Sequence, residues 1–423
     1  MPERTGPRVY GYRWVLLGGF ALLNAVVQAN WITFAPITDT AAAYYGVSDL
    51  SIGLLSLVFM VVFVVMAMPA SYVIDTYGLR VGIGIGAVLT GVCGLTRGLL
   101  GSSFAWVFAS QVGLAIGQPF VMNAITKVGG RWFPLTERAT AASIPSLAQF
   151  LGIIAAMVAT PALAEGLEIP GMLVLYGALS AAAGLVALAL IRERPPTPPG
   201  DTAGEERTRF LAGLRHILRQ RDMLLLLLLF FVGLGMFNAI TTWIEQVVGP
   251  RGFDSEQAGM TGGLMVVGGI LGTALLSVLS DRLRRRKVFL VLAVAGMAPG
   301  LVGLAFATSY PLLLASSFVF GFFMMSAYPV GFQYSAEVTH PAPEATSQGL
   351  LVMAGQVSGI LFILGMDAFR AGPDAPMTGS MVTFIVLTAL VVTLSLFMRE
   401  SPMMRRVPGG RGGPPRDGGP PDA

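Results

Sequence analysis

The sequence predicts an all-α integral membrane protein, with twelve transmembrane helices arranged as two pseudo-symmetric six-helix bundles. The first observation is a series of twelve apolar stretches, each long enough to cross a bilayer, that covers about two thirds of the 423 residues. The second is composition, because 54% of the residues are hydrophobic, 12% are charged and the mean hydropathy is +0.72, unlike an ordinary soluble domain. The third is an internal repeat. Lipid is therefore expected to be the solvent of this chain.

The twelve predicted spans follow from length and hydropathy. About 20 apolar residues in a helix cross a hydrocarbon core of about 30 Å. Glycine and proline interrupt many of the stretches, which is tolerated where neighbouring helices satisfy the freed backbone groups. The first stretch is too long for the apolar core of a signal peptide, so we expect it to remain as a helix. The predicted spans are 14–38, 50–74, 81–100, 104–127, 138–162, 172–191, 223–247, 257–280, 288–308, 311–334, 346–368 and 377–398.

Basic residues predict the orientation, because Lys and Arg in short loops are retained on the cytoplasmic side during insertion. Of the 27 basic residues, all but Arg97, Arg251 and Arg370 fall in the N-terminal segment, in alternate loops starting with 75–80, or in the C-terminal tail. Both termini are therefore expected in the cytoplasm. The net charge of +4 indicates anchoring beside an anionic leaflet and not nucleic-acid binding. The excess of Arg over Lys is typical of GC-rich bacteria, which predicts a bacterial cell (inner) membrane.

A proline-rich run after residue 194 divides the spans six and six, which indicates a linker between two domains. Apolar residues recur at helical spacing within the linker and predict an amphipathic helix on the inner membrane surface, with a merely solvated helix as the alternative. Those residues are Phe210, Leu211, Leu214, Ile217 and Leu218. The predicted units are an N-terminal bundle (1–192), the cytoplasmic linker (193–222), a C-terminal bundle (223–399) and a disordered cytoplasmic tail (400–423).

The two halves repeat one another along the chain. Asp75 is followed five residues later by Arg80, and the same pair recurs 206 positions on as Asp281 and Arg286. A Gln-x-x-Gly sequence in the fifth predicted span recurs 207 positions later in the eleventh. Two six-helix halves, each with an Asp-to-Arg loop after its second helix, describe the major facilitator architecture.

These duplicated loops predict a gate on the cytoplasmic side. A carboxylate at a helix end beside an arginine can pair across helices when the gate is shut and separate when the halves rock. We therefore predict gating roles for Asp75, Arg80, Asp281 and Arg286. The first loop contains a glycine where the second contains Arg284, so the second turn must differ. The alternative is an ordinary loop whose exposed ion pairs contribute little.

Segments from the first predicted span to the eleventh carry a narrower resemblance. They are NWI (30–32), PA (69–70), DT and GLR (75–80), WF (132–133), Gln149 with Gly152, GFFMMSAYPVGF (321–332), EVTHP (337–341), EATSQGLL (344–351) and QVSGILF (356–362). In these segments the chain resembles the feline leukaemia virus subgroup C receptor family. The resemblance implies a major facilitator uniporter for choline and ethanolamine, a family to which haem export has also been attributed.

Such a substrate needs an aromatic surface, because a quaternary ammonium group has no N–H to donate and is best held over a ring face, at about 0.5–2 kcal/mol. Trp31 matches the tryptophan of the first helix in the family and is the leading candidate. The alternative is a residue of the aromatic belt at the outer membrane interface.

Polar residues within apolar spans are further candidates, because such groups need partners. Gln149 and Gln356 occupy equivalent positions in the two halves and can bind a substrate hydroxyl or join helices. Tyr328, also shared with the family, precedes a proline and can instead satisfy freed backbone groups. At the position of the family's second aromatic, this chain has Asn238, with Phe237 before it. Phe237 can replace that aromatic, since it lies 206 positions after Trp31, or the pocket accepts a smaller or more polar solute.

Charged residues are missing from the central third of every predicted span. Asp39, Glu245 and Asp367 lie near span ends, which favours uniport over proton coupling, since carriers place titratable groups on the pathway. Arg97 and Lys127 also lie near span ends, so an anionic substrate would lack a counter-charge. The only histidines, His216 and His340, fall in cytoplasmic segments, which argues against a haem relay through imidazoles.

Catalytic and cofactor sites are not predicted. Cys93 is the only cysteine, which excludes an intramolecular disulfide, and no phosphate loop, HExxH or GxSxG motif is present. The sequence therefore predicts a non-enzymatic carrier, without a cofactor, whose partners are a small-molecule substrate and the lipid bilayer, acting as a monomer. The alternatives are a carrier of a metabolite anion, a drug-like cation or haem, ion coupling, and a membrane receptor, scaffold or channel.

Overall fold

The computed structural model describes residues 10–134, 137–195, 216–340, 344–370 and 375–401. These ranges are helical and contain no strand. Short 3-10 helices at Ala35–Ile37 and Gly249–Arg251 accompany the α-helices. The α-helices are α1 Tyr12–Ile32, α2 Thr38–Tyr45, α3 Asp49–Thr76, α4 Leu79–Leu99, α5 Phe104–Met122, α6 Ile125–Trp132, α7 Arg138–Leu190, α8 Arg221–Thr242, α9 Ile244–Val248, α10 Ser255–Leu283, α11 Arg286–Phe306, α12 Tyr310–Thr339, α13 Glu344–Ala368 and α14 Thr378–Ser395.

Among the described residues, eleven helices are long and apolar enough to cross a membrane, where the sequence predicted twelve spans. The difference lies in α7, which is interrupted by non-helical backbone at Glu168 (φ 56°, ψ 170°). Thr160 and Tyr176 would be about 24 Å apart in an unbroken helix, yet their hydroxyls lie 2.7 Å apart. The chain therefore folds back at Glu168, and the predicted spans 138–162 and 172–191 are the two arms of α7.

Four predicted spans are shorter as regular helices than expected, since the seventh ends at Thr242 and the twelfth covers only Thr378–Ser395. The first ends at Ile32, before the 3-10 turn that contains Pro36, instead of running to 38. The fourth ends at Met122, and a turn separates it from α6. The helical hydrogen bonds are interrupted by Pro36 in the first span and by the turn that follows Pro119 in the fourth.

Close packing through glycine joins the helices within each half. A Cβ built on Gly152 of α7 would lie 2.0 Å from the carbonyl oxygen of Ala25 in α1. A Cβ on Gly321 of α12 would lie 1.8 Å from the carbonyl oxygen of Met265 in α10. The bare glycine backbone therefore allows these helices to approach, as is typical of membrane bundles.

In each half, a glutamate after the last helix is bound to the start of the third membrane-spanning helix. The backbone N–H of Arg80 donates to Glu193 at 2.8 Å, and the backbone N–H of Arg286 donates to Glu400 at 2.8 Å. We call these two contacts the clasps. Each carboxylate satisfies an unpaired N–H at a helix N-terminus, where negative charge is favourable.

Where the structure describes the connections, short turns join consecutive membrane-spanning helices, so these helices run in alternate directions and their ends form two faces. The face at which α1 begins carries mostly basic residues and is called the basic face. It includes Arg13, Lys127, Arg131, Arg286 and Lys287. The opposite face is called the acidic face and includes Asp39, Asp49, Glu245, Asp254 and Glu256.

Most of the predicted linker helix and tail lies outside the described residues. This applies to Phe210, Leu211, Leu214 and residues 402–423. Of the predicted apolar face, Ile217 is fully buried and packs in the same core as Met223, whereas Leu218 is 43% exposed.

Candidate substrate cavity and gates

A cavity of about 390 Å³ lies between the N-terminal and C-terminal halves. It begins near the acidic-face ends of α1 and α8 and extends towards the basic face. Among the described residues, its walls contain six aromatic side chains, five amide side chains and no acidic, basic or histidine side chain. The six residues predicted to bind substrate all line this cavity, namely Trp31, Gln149, Phe237, Asn238, Tyr328 and Gln356.

Trp31 lies at the end of the cavity nearest the acidic face. Its side chain is 7% exposed, and its indole Nε1 donates to the carbonyl oxygen of Ser56 at 3.2 Å. The Ser56 hydroxyl donates in return to the carbonyl oxygen of Trp31 at 3.1 Å. Because the ring is buried inside the protein, the aromatic-belt alternative does not hold.

The amide side chains of the N-terminal half form two pairs beside the cavity. Gln149 donates to the Asn24 side chain at 2.8 Å, and Gln118 donates to the Gln28 side chain at 3.0 Å. Gln28 and Gln118 also line the cavity but were missed from the sequence. Gln28 lies three residues before Trp31, which places both on one face of α1, and this spacing was the available signal.

The C-terminal half supplies a less connected wall. Gln356 makes no side-chain hydrogen bond with another described residue, so its amide is available to a solute. Asn238 donates only weakly to the carbonyl oxygen of Gly355, at 3.4 Å. Phe237 is 7% exposed and lines the cavity, as required if it replaces the missing aromatic.

Tyr328 belongs to an aromatic cluster on the C-terminal side. Its ring centroid lies 5.6 Å from that of Phe230 and 5.5 Å from that of Phe332, both nearly edge to face. Its hydroxyl makes no hydrogen bond with a described residue. The alternative that it satisfies backbone freed by Pro329 is therefore not what the structure shows.

Contacts between the two halves seal the acidic face. Gln246 of α9 donates to the Asp39 side chain at 2.8 Å, and the backbone N–H of Asp39 donates to Glu245 at 2.9 Å. Arg370 forms an ion pair with Asp49 at 2.8 Å. Glu245 also accepts a hydrogen bond from the hydroxyl of Ser255. Burial of the Glu245 carboxyl, which lies beyond the end of α8, raises its pKa to about 7.

The ion pairs of the basic face all join residues of the same half within the described ranges. In the N-terminal half, Asp75 pairs with Lys127 at 2.6 Å. In this arrangement Lys127 occupies the Asp75 carboxylate and the exposed Arg80 side chain makes no ion pair with a described residue, so gating roles for Asp75 and Arg80 stay a prediction. In the C-terminal half, Asp281 does pair with Arg286.

Arg286 is only 5% exposed and also pairs with Glu337, at 3.2 Å. The two turns differ as expected, with Gly78 at φ 101°, ψ 169° and Arg284 at φ 51°, ψ 45°. Both turns use positive φ, which a glycine adopts freely and an arginine adopts at a cost.

Arg97 is the charged residue whose environment the sequence did not reveal. It lies near a span end, as predicted, but it is fully buried within the N-terminal half and does not line the cavity. Its guanidinium donates to the Gln111 side chain at 2.8 Å, to the carbonyl oxygen of Asn30 at 3.4 Å, and to the Asn30 side chain. No described carboxylate forms an ion pair with it.

Comparisons with known proteins agree with this architecture. The profile of the Major Facilitator Superfamily matches residues 20–363 and, in a second match, 238–414. Solute carrier family 49 member A3 of Danio rerio is 33% identical over 383 residues, covering 87% of this chain and 81% of that protein. The choline/ethanolamine transporter FLVCR1 of Mus musculus is 28% identical over 432 residues, covering 92% and 76%.

A solved structure shares the fold. A bacterial homologue of the human lysosomal transporter Spinster, crystallised in an inward-facing and unoccupied conformation, has a TM-score of 0.74 at 18% identity, covering 92% of this chain and 98% of that one. The predicted resemblance is confirmed, since the relatives include choline/ethanolamine transporters. The profile matches well over half of the residues, and it describes transporters and not enzymes. The chain belongs to the Major Facilitator Superfamily.

Proposed function

We propose that this protein is a uniporter that moves choline-like or ethanolamine-like amines across a membrane by alternating access. The observation that carries the proposal is the uncharged cavity between the halves, with aromatic rings and amide side chains in its walls. Its volume of about 390 Å³ lies in the range of small-molecule sites.

The chemistry of the walls suits a monovalent amine. An aromatic face attracts a cation by about 0.5–2 kcal/mol per contact, and this attraction needs no buried counter-charge. Trp31 and Phe237 supply such faces from the two halves, and the amides of Gln149 and Gln356 can bind a hydroxyl or ammonium group. A metabolite anion would meet no basic side chain in the cavity.

Haem is a weaker candidate for this cavity. Iron in bound haem usually takes an axial ligand such as histidine. Neither His216 nor His340 lines the cavity, because both lie at the basic-face ends of helices.

Uniport is the mechanism we propose because none of the described residues that line the cavity is acidic, basic or histidine. Proton-coupled carriers place a titratable group on the transport pathway. The buried Glu245 belongs to the acidic-face seal and not to the cavity wall.

The topology belongs to the same proposal. Counting the two arms of α7 separately gives twelve spans among the described residues, and the described chain begins and ends, at residues 10 and 401, at the basic face, which we assign to the cytoplasm by the positive-inside rule. We propose a monomer in a cell membrane. The relatives named above come from animals and do not support the bacterial origin predicted from arginine usage.

Counterflow of radiolabelled choline into proteoliposomes, without an ion gradient, tests the proposal. We expect saturable counterflow that is lost in Trp31→Ala and reduced in Gln149→Ala. Trp106→Ala is the matched control, because Trp106 is 57% exposed on the outside of the bundle. No choline or ethanolamine counterflow from folded protein would contradict the proposed substrate, and counterflow that requires a proton gradient would contradict uniport.

A further inference from the structure

The fully buried Arg97 has no place in the cavity and no carboxylate partner among the described residues, so its retention needs a reason. A charged side chain buried inside a membrane protein is costly, and such residues are kept for function. We infer that Arg97 is the positioning residue for Trp31, holding the ring in the orientation that receives the substrate. This inference rests on the proposed amine site.

The first step is the end of α1. Regular helix stops at Ile32, so the last carbonyls of α1 need partners from outside the helix, and the Thr33 hydroxyl supplies only a 3.4 Å contact to the carbonyl oxygen of Asn30. Arg97 donates to the carbonyl oxygen of Asn30 and also to its side chain. A positive charge at a helix C-terminus is favourable, and these contacts hold the residue directly before Trp31.

The second step concerns Ser56, the residue that binds the indole of Trp31. Gln111, which accepts from Arg97 at 2.8 Å, donates to the carbonyl oxygens of Asn30 at 3.0 Å and Leu55 at 3.1 Å. Leu55 directly precedes Ser56, the residue that exchanges hydrogen bonds with Trp31. Arg97 and Gln111 together therefore hold the backbone on both sides of the Trp31–Ser56 contact.

The third step is a comparison with the other half, which is built without this arrangement. The positions 206 and 207 residues after Arg97 are Gly303 and Leu304, neither of which has a donor side chain. The position equivalent to Asn30 is Met236. The C-terminal half thus folds without a buried arginine at this position. The network is specific to the N-terminal half, which carries Trp31.

The first test observes Trp31 directly and needs no substrate. In a protein whose other tryptophans (Trp14, Trp106, Trp132 and Trp243) are replaced by Phe, fluorescence reports Trp31 alone. We expect Arg97→Gln to shift the emission to longer wavelength and to increase quenching by acrylamide at least twofold, with Arg97→Lys between it and the parent.

The matched control is Arg251→Gln. Arg251 likewise donates to backbone carbonyls at the acidic face, at 3.0 Å to Ala307 and 2.6 Å to Leu304, but has no link to Trp31. We expect no spectral change in that variant. If Arg97→Gln does not fold, Gln111→Leu removes the other half of the network and is expected to give the same spectral change.

The second test separates positioning from a general structural role. We expect Arg97→Gln to raise the KM for choline about tenfold with Vmax within about twofold, because one charged hydrogen-bonded contact is removed from the support of the site. In a Trp31→Phe background the same change should alter KM less than about twofold, since its effect passes through Trp31.

Unchanged quenching in folded Arg97→Gln and Gln111→Leu would overturn the inference, as would an equal rise in KM with and without Trp31. If the wild type does not transport choline or ethanolamine, the proposed function fails, and the fluorescence of Trp31 still decides whether Arg97 positions it.

Discussion

The two faces of the protein use their charged residues in different ways. At the acidic face, Asp39 and Asp49 of the N-terminal half bind Gln246 and Arg370 of the C-terminal half. At the basic face, the ion pairs of the described residues, such as Asp75 with Lys127, remain inside one half. The acidic face therefore joins the halves, whereas the basic face only braces each half on its own.

This difference shows which end of the cavity is shut. Trp243 of the C-terminal half packs so closely on Gly53 of α3 that a Cβ at Gly53 would lie 2.8 Å from the ring. Backbone contact near Gly259 of α10 adds to the seal, since a Cβ there would lie 2.1 Å from the carbonyl oxygen of Met157 in α7. In this arrangement the contacts between the halves lie at the acidic face, whereas the ion pairs of the basic face do not connect the halves. Alternating access also requires the opposite arrangement, which is closed at the basic face and open at the acidic face.

Fixing the acidic-face seal covalently should have the largest effect. In a Cys93→Ser background, Asp39→Cys with Gln246→Cys places thiols at a contact of 2.8 Å between the original side chains. Joining them with a short bifunctional thiosulfonate should abolish transport, and a reductant should restore it. Each single-cysteine variant treated with the same reagent is the control. Full transport by the cross-linked protein would mean that the seal never opens during transport.

Wedging the seal apart should have the next largest effect. Gly259→Ala forces a methyl group against Met157, and overpacking of this kind costs about 1–3 kcal/mol. The population should shift about tenfold or more towards a state open at the acidic face. Spin labels at exposed Tyr44→Cys and Phe369→Cys, in the Cys93→Ser background, measure the distance across that face. Gly18→Ala, with open space around the added methyl, should leave the distance unchanged.

Protonation should modulate the same seal to a smaller extent. Burial raises the pKa of Glu245 from 4.5 to about 7 in the closed arrangement, so closure favours the protonated form. The stability of the seal is therefore greatest below pH 4.5 and falls as the pH rises towards about 7, with no further dependence above it. The same label distance, followed from pH 4.5 to 8, checks this.

Glu245→Gln is the matched variant for this titration, because its amide does not ionise and its one oxygen can accept from either Ser255 or the backbone N–H of Asp39, which bind different oxygens of the carboxylate. Its label distance should not depend on pH in that range. A pH dependence that persists in Glu245→Gln would assign the titration to another group of the acidic face.

The smallest effect is expected at the basic face, where no contact between the halves is altered. Arg284 adopts φ 51°, which costs a non-glycine residue about 1–2 kcal/mol. Arg284→Gly should recover part of this cost and raise the thermal unfolding temperature slightly, without changing transport. Gly78→Ala in the equivalent turn should do the opposite, because φ is 101° there and a Cβ would meet the Glu193 carboxylate at 2.6 Å. Equal unfolding temperatures would show that neither turn is strained.

Much of the fold was predictable, because a span needs only enough apolar residues to cross the bilayer. The two arms of α7 were predicted as separate spans, and the fold-back at Glu168 falls between them. The ends of regular helix were less predictable. They depend on tertiary contacts, such as the hydrogen bonds of Arg97 and Gln111 to the last turn of α1.

The cavity residues were predictable where polarity stood out in an apolar span, as at Gln149 and Gln356, or where a family motif marked them, as at Trp31. Gln28 and Gln118 have the same polarity but lie outside the family motifs, and they were missed. The partner that Asp75 has in the structure was not predictable for another reason. Lys127 is distant in sequence, and the position 206 residues later is Gln333, so the repeat itself held no trace of this partner.

The clasps hold together the helices of each half independently of the other half. Glu193 binds the backbone of Arg80, and Glu400 binds that of Arg286, so the last helix of each half is tied to its third without help from the other half. The two halves can then act as levers that turn about their shared boundary while each keeps its internal shape. A transporter cut between residues 196 and 215 and expressed as two chains should consequently assemble, because the clasp of each half lies entirely within that half.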